Sequence, residues 1–184
     1  MNGQHENRRV QITKRLLKEA LLELLEQTEL AGISVTAVCE AADVHRSTFY
    51  KYYREPSDVL RDIEKDVLDQ IPVPPPTLDP QSQEGLLRAT TAFFDYVRDK
   101  EKLFQILFSE SVNAGFSSRL VDVLCSQFIT GIESEHELPD RYLRLYIANG
   151  TVGMLREWIA SGFSLSSREI VEMMYFLSRK LTGP

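Results

Sequence analysis

Ten residues, Ile71 to Pro80 (IPVPPPTLDP), hold five of the chain's eight prolines, and they set the limits within which the rest can fold. Proline lacks a backbone N–H and its ring clashes with the turn before it, so this stretch cannot be a helix interior. It reads as a stiff, extended connector. On either side of it the apolar residues recur at the i, i+3, i+4 spacing of amphipathic helices. The 184 residues therefore divide into a helical part at 1–71, a connector at 72–80 and a second helical part at 81–184. The expected fold class is all-α with about nine helices, and the length suits two small domains.

The most specific pattern in the first part is SVTAVCEAADVHRSTFYKYY, Ser34 to Tyr53. Ser34 suits the cap of a short helix, because its hydroxyl can accept a bond from a free N–H of the first turn. Val35, Val38, Cys39 and Ala42 then make one apolar face. Asp43 and Val44 interrupt that face, and a second short run begins at His45 and Arg46 with Phe49 and Tyr53 pointing inward. Its outward remainder is Arg46, Ser47, Thr48, Lys51 and Tyr52, groups that bond base edges and phosphate oxygens. Two short helices joined by a tight turn, the second so equipped, form a helix-turn-helix whose second helix enters the major groove. A helical pair in a scaffold that binds no DNA is the plainer alternative. His45 likewise fits a simple helix cap as well as a base contact.

The formal net charge of −6 argues against a nucleic-acid partner, but its distribution does not. From Arg8 to Arg54 eight Lys or Arg face six Asp or Glu, whereas from Glu55 onward thirteen basic residues face twenty acidic ones. Positive charge thus gathers on the amino-terminal arm and the second helix of the motif, and the acidic remainder resists indiscriminate binding.

Elsewhere the spacing predicts helices over Val10 to Leu25, from Pro56 to about Ile71, over Gln83 to Arg98, Lys102 to Ser109 and Ser117 to Ile132, and after Ser166. Pro56 suits a first helical position. In Pro139 to Ser161 apolar residues wrap nearly the whole circumference, which predicts a helix buried on most sides. The last helix carries a stripe of Ile170, Met173, Met174, Leu177 and Leu181. Two such helices exceed the needs of one small core, so self-association through them is expected.

Phe93, Phe94, Phe104, Phe108, Phe128, Tyr146 and Trp158 either fill the core or line an apolar ligand site. Asn149 and Thr151, polar residues expected to be buried among them, favour the second reading, because a ligand needs a few convergent polar partners. Gly150 and Gly153 allow a close helix approach. Cys39 and Cys125 read as small buried hydrophobes in a reducing compartment. His136 in ESEHE reads as part of a solvated loop, since it lacks the spacing of a zinc site. No nucleophile–base pair, phosphate loop or metal quartet is recognisable, so neither enzyme chemistry nor a cofactor is expected. No apolar run approaches the roughly 18 residues of a membrane span. With no signal-peptide pattern at the start, a cytoplasmic protein without membrane contact is expected.

Four helices before the connector, about five after it, and the run V-x-R-S-T-F-Y-K-Y-Y make the chain similar to the TetR family of transcriptional regulators. Gly32, Ser34, Ala42, Val44, Phe49, Tyr50 and Tyr53 stand at the family's spacing, and Gly150, Gly153 and Trp158 resemble the glycine-then-tryptophan pattern of one subclass. The resemblance implies a homodimeric repressor, responsive to a small-molecule effector, that binds double-stranded DNA at an inverted repeat. It implies that His45, Arg46, Ser47 and Thr48 open the recognition helix, that Tyr50, Lys51 and Tyr52 touch backbone or bases, and that Ser34 meets a phosphate. For the second part it implies effector contacts from among Phe93, Phe104, Phe108, Phe128, Tyr146, Asn149 and Trp158, and dimerisation by the last two helices. It further implies that the effector shifts the helix after the motif and so changes the spacing of the two recognition helices. Asp43, His45 and Pro56 depart from the family's usual glycine, serine and lysine. Loss of that lysine and the acidic total give weight to one alternative, an adaptor or co-regulator of the same fold acting through a protein partner; a small-molecule binder with a vestigial motif is a third reading.

Overall fold

The computed structural model describes residues 2–72, 83–109, 112, 115–128 and 140–182. Among them stand nine α-helices and no strand: α1 (Asn2–Leu25), α2 (Val35–Ala41), α3 (Arg46–Phe49), α4 (Pro56–Asp69), α5 (Gln83–Asp99), α6 (Glu101–Leu107), α7 (Phe116–Val123), α8 (Asp140–Ala160) and α9 (Ser167–Thr182). A 3-10 turn, Leu30–Gly32, precedes α2, and a π-helical turn, Leu124–Phe128, follows α7. The all-helical expectation holds. The connector from residue 73 onward, His136 and the end of the helix expected up to Ile132 lie outside the described residues.

Helices α1 to α4 belong to one compact unit and α5 to α9 to a second. In the first, Leu17, Ala20 and Leu21 of α1 meet Val38 and Cys39 of α2, Phe49 of α3 and Val59, Leu60, Ile63 and Val67 of α4 in a closed core. Helix α1 begins at Asn2 rather than Val10. The residues before the apolar stripe are polar, so hydrophobic spacing cannot reveal that the helix continues through them.

In the second unit α5 packs against α9, and α8 against α6 and α7. The core is aromatic: Phe94 lies 5.2 Å from Trp158, and Phe104, Phe108 and Phe116 pack in mutual contact. The end of α8 is fixed by a Schellman turn. Phe163 donates its N–H to the Trp158 carbonyl at 2.9 Å and Gly162 donates to Ile159 at 3.0 Å, with both residues at positive φ. The Phe163 ring packs edge-on against Trp158 at 4.8 Å, the apolar contact such a turn favours. Helix α9 opens with a capping box, in which Glu169 N–H donates to the Ser166 hydroxyl and Ser166 N–H donates back to the Glu169 carboxylate at 2.8 Å.

One expectation needs correction. Helix α8 is not buried on most sides: Ala148, Val152, Leu155, Trp158 and Ile159 are covered, but Tyr142, Leu145 and Tyr146 are 67%, 43% and 61% exposed. Asn149 and Gly150 continue the open face, and Gly153 extends it. On α9, Ile170 and Val171 are buried while Met173, Phe176 and Leu177 stand open. Apolar content all round a helix shows that every face suits burial, not that one chain can bury them all.

Candidate nucleic-acid interface

Helix α2 starts where its sequence says it should. Ser34 Oγ accepts from the Ala37 N–H at 3.1 Å and so satisfies one of the orphan donors of the first turn. Its end is a second Schellman turn: Val44 N–H donates to the Cys39 carbonyl at 2.9 Å and Asp43 N–H to Glu40 at 3.3 Å. Asp43, at φ 51°, takes the left-handed place that glycine usually fills. Aspartate tolerates this conformation better than most residues, so the tight turn survives the departure. Burial pushes the Cys39 thiol up, Arg46 pulls it down and Glu40 raises it again, and the net effect is a shift upward. That thiol is a packing group rather than a reactive one.

Helix α3 is a single α-turn, shorter than the sequence pattern suggests. Past Phe49 the chain continues with tighter bonds, Lys51 to Thr48 and Tyr52 to Phe49, alongside Tyr53 to Phe49. Phe49 and Tyr53 nevertheless point inward as expected, at 0% and 5% exposure. The opposite side presents His45, Arg46, Ser47, Tyr50 and Lys51 in the open, with Thr48 and Tyr52 half-buried, and Ser34 is exposed on the flank of α2. His45 holds the cap position of α3 without a side-chain cap bond. Arg46 folds back to donate from Nη2 to Thr36 Oγ1, which joins α3 to the first turn of α2. Thr36, Cys39, Glu40, Asp43, Val44, His45 and Arg46 surround an open depression of about 320 Å³.

The first unit is tied together at Asp62. Its Oδ2 accepts from the Tyr53 hydroxyl at 2.6 Å and from Lys14 Nζ at 3.2 Å, and lies 3.1 Å from Lys18 Nζ, which also meets Asp66 at 2.6 Å. Burial pushes the Asp62 carboxyl up, but the bonds from Tyr53, Lys18 and Lys14 outweigh it and hold the group down at about 2. Burial first, and then the bond to Asp62, keeps the Tyr53 phenol protonated far above its usual range. Helix α4 opens at Pro56, as expected of a first helical position. Asp58 accepts the backbone N–H groups of Arg54 at 2.8 Å and Glu55 at 3.2 Å, which fixes the entry into that helix. Helix α4 is thus tied to the α3 segment from its middle, by the Tyr53–Asp62 bond, while Asp58 fixes the link from Arg54 into its first turn.

The residues suggested for an effector site are not gathered in one place. Phe93 and Phe104 are buried and Phe108 is half-buried next to Phe104. Trp158 is 2% exposed, and its indole N–H already donates to the Leu165 carbonyl at 2.9 Å. Tyr146 and Asn149 stand on the open face of α8, where Asn149 donates to the Leu145 carbonyl at 2.8 Å. The expected burial of Asn149 is therefore corrected, and Thr151 is only half-buried. The side chain of Phe128 lies outside the described residues.

Residues 84–180 match the family model for a transcriptional regulator C-terminal region of the TetR type. The chain belongs to the TetR family of transcriptional regulators. Members of this family regulate transcription and are not enzymes. The fold is shared with a TetR transcriptional regulator from Streptococcus agalactiae, at a TM-score of 0.73 and 16% identity over 95% of this chain and 97% of that one. It is shared too with a dihydroxyacetone kinase operon activator (0.62, 18%, covering 90% and 93%). A third neighbour is the secondary repressor of a multidrug efflux pump in Pseudomonas aeruginosa (0.61, 15%, covering 89% and 93%). Identities this low establish a common fold; an activator and a repressor both carry it. No curated protein matches by sequence. No helix among the described residues is long and apolar enough to cross a membrane.

In this TetR-family chain two groups near the motif escaped the sequence reading. Thr36 carries no signal of its own within a short helix. The Asp62 cluster did leave a signal: Lys14 and Lys18 on α1, and Asp62 and Asp66 on α4, share a four-residue spacing of opposite sign.

Proposed function

We propose that this chain is a ligand-responsive repressor that binds an inverted-repeat operator as a homodimer. Residues 1–71 supply the DNA-binding head and 81–184 the effector and dimer domain. The observation that carries the reading is the division of the α3 segment, with Phe49 and Tyr53 buried and Arg46, Ser47, Tyr50 and Lys51 turned to solvent. In this reading His45 to Thr48 face base edges, Tyr50, Lys51 and Tyr52 meet backbone or nearby bases, and Ser34 meets a phosphate through the hydroxyl that also caps α2.

The open stripes of α8 and α9 are where a second copy packs, forming a four-helix interface. Tyr146 and Asn149 belong to that face, and the bare surfaces at Gly150 and Gly153, where an added Cβ would meet nothing within 4 Å, admit a partner helix closely. An apolar effector binds at the edge formed by Phe104 and Phe108. Because Asp62 binds α4 to Tyr53 at the end of the α3 segment, a displacement of α4 carries the recognition segment with it, which is how effector binding would change the spacing of two recognition helices. Repression requires only occupancy of the operator, whereas activation requires a further contact with the transcription machinery.

The test is a gel shift with duplexes selected from a random library by the wild-type chain, at two salt concentrations. Lys51→Ala weakens binding to every sequence and lowers the salt slope by about one, while Arg46→Ala costs about 1–3 kcal/mol and relaxes one base preference. Unchanged affinity in both variants would sink the proposed docking. Transcription that rises with added protein would reverse the assigned sign.

A further inference from the structure

Arg46 is the first residue of α3 and the only arginine of the Ser34–Tyr53 motif, yet its guanidinium does not hang free. It donates to the hydroxyl of Thr36, the second residue of α2, across the turn that joins the helices. We propose that Thr36 is a positioning residue for base reading, a brace that fixes the guanidinium plane of Arg46 before DNA arrives. The inference rests on the DNA-binding reading above and adds to it a residue that faces no base.

The chemistry favours a brace over a simple surface bond. Arginine presents five N–H donors in a rigid fork, so one bond to Thr36 leaves the opposite edge able to make two parallel bonds to a guanine. A free arginine side chain loses much of its rotamer freedom on binding, and an arginine already held loses less. The Schellman turn at Asp43 and Val44 sets the angle between α2 and α3, so Thr36 and Arg46 face each other across a fixed gap. The hydroxyl offers an acceptor without a charge, which orients the guanidinium without neutralising it. Glu40, one turn further along α2 and on the same depression, would neutralise it if it made the bond instead.

The test compares Thr36→Val, which keeps the branched shape and removes the acceptor, with the wild-type chain on the selected duplex. Thr36→Val binds roughly five-fold more weakly, since part of the ordering cost returns to the binding step. It loses preference at the same base position that Arg46→Ala relaxes, and its salt slope stays at the wild-type value. Thr36→Ser, which keeps the acceptor, restores both affinity and preference. Thr36→Ala, a second variant without the acceptor, behaves as Thr36→Val does even if one of the two melts earlier. In an Arg46→Ala background Thr36→Val adds nothing. Affinity and base preference equal to wild type, tighter binding, or a loss that persists without Arg46 would each overturn the brace. A changed salt slope would do so too, since it would make Thr36 a phosphate contact. A wild-type chain that selects no duplex at all overturns the DNA reading itself, a result distinct from a wild type that binds and a Thr36→Val that matches it.

Discussion

The two units of this chain are finished to different degrees. In the first, the polar groups near the core answer one another: Asp62 gathers Tyr53, Lys14 and Lys18, and Asp58 closes the entry to α4. Most of what it shows to solvent around α3 is polar, with Ile12, Leu16 and Tyr50 as its exposed large apolar or aromatic side chains. The second unit has a dense aromatic core and leaves Tyr142, Leu145, Tyr146, Met173, Phe176 and Leu177 uncovered along two helices. Large apolar side chains left open along a helix face suit an association surface, as single scattered ones do not. The first unit is mostly polar outward around α3; the second keeps large apolar side chains open on α8 and α9.

The largest effect is expected where the second unit is open. Charges placed at Tyr146 and Leu177 together (Tyr146→Asp with Leu177→Asp) would lie buried and unpaired in a dimer, at several kcal/mol per buried charge. Dimer dissociation should rise by more than about 100-fold, read by sedimentation or a sizing column. A double variant that remains dimeric at wild-type concentrations would place the interface elsewhere.

An intermediate effect is expected where the first unit is closed. The Asp62 pKa in the folded chain, about 2, lies below its unfolded value of about 3.9, so its contribution is full above that unfolded value and is lost as pH falls towards 2. A shift of this size corresponds to about 2.5 kcal/mol. Asp62→Asn should lower stability by that order at pH 7 and should flatten the acid limb between about pH 4 and 2 in urea melts. An acid limb identical to that of wild type would show that the cluster does not hold this unit together.

The smallest change concerns the turn. Asp43→Gly should stabilise the head by about 0.5–1 kcal/mol, because glycine meets no steric penalty at the positive φ that Asp43 adopts. A lower melting temperature for Asp43→Gly would mean that the aspartate side chain contributes something the backbone geometry does not.

The sequence made some of this plain and hid the rest, for physical reasons. Caps are local, so Ser34, Pro56 and Ser166 marked their helix starts correctly. Inward periodicity is local too, and it identified Phe49, Tyr53 and the α2 face. The hidden features depend on how helices meet. The Tyr53–Asp62 bond spans nine residues and the Lys14–Asp62 bond forty-eight, and neither can be read from the spacing within one helix. Thr36 was invisible because its partner lies across a turn whose angle depends on one left-handed residue. The open face of α8 was misread because apolar periodicity records suitability for burial and does not say which molecule provides the cover. The same limit holds for Tyr146 and Asn149, whose place on that face separates them from the buried Phe93 and Phe104.

The carbonyl of Leu165 illustrates a different property, redundancy. It accepts both the Trp158 indole N–H at 2.9 Å and the Arg98 guanidinium at 3.1 Å, using both of the lone pairs that a carbonyl offers. Loss of either donor leaves the oxygen satisfied by the other, so the joint between α8 and α9 tolerates a single failure. The backbone turn beside it has no such spare part, since Gly162 and Phe163 must both hold a positive φ to close it, and of the two only glycine does so without steric cost. Sequence drift can therefore reach the side chains of this joint sooner than it can reach its glycine.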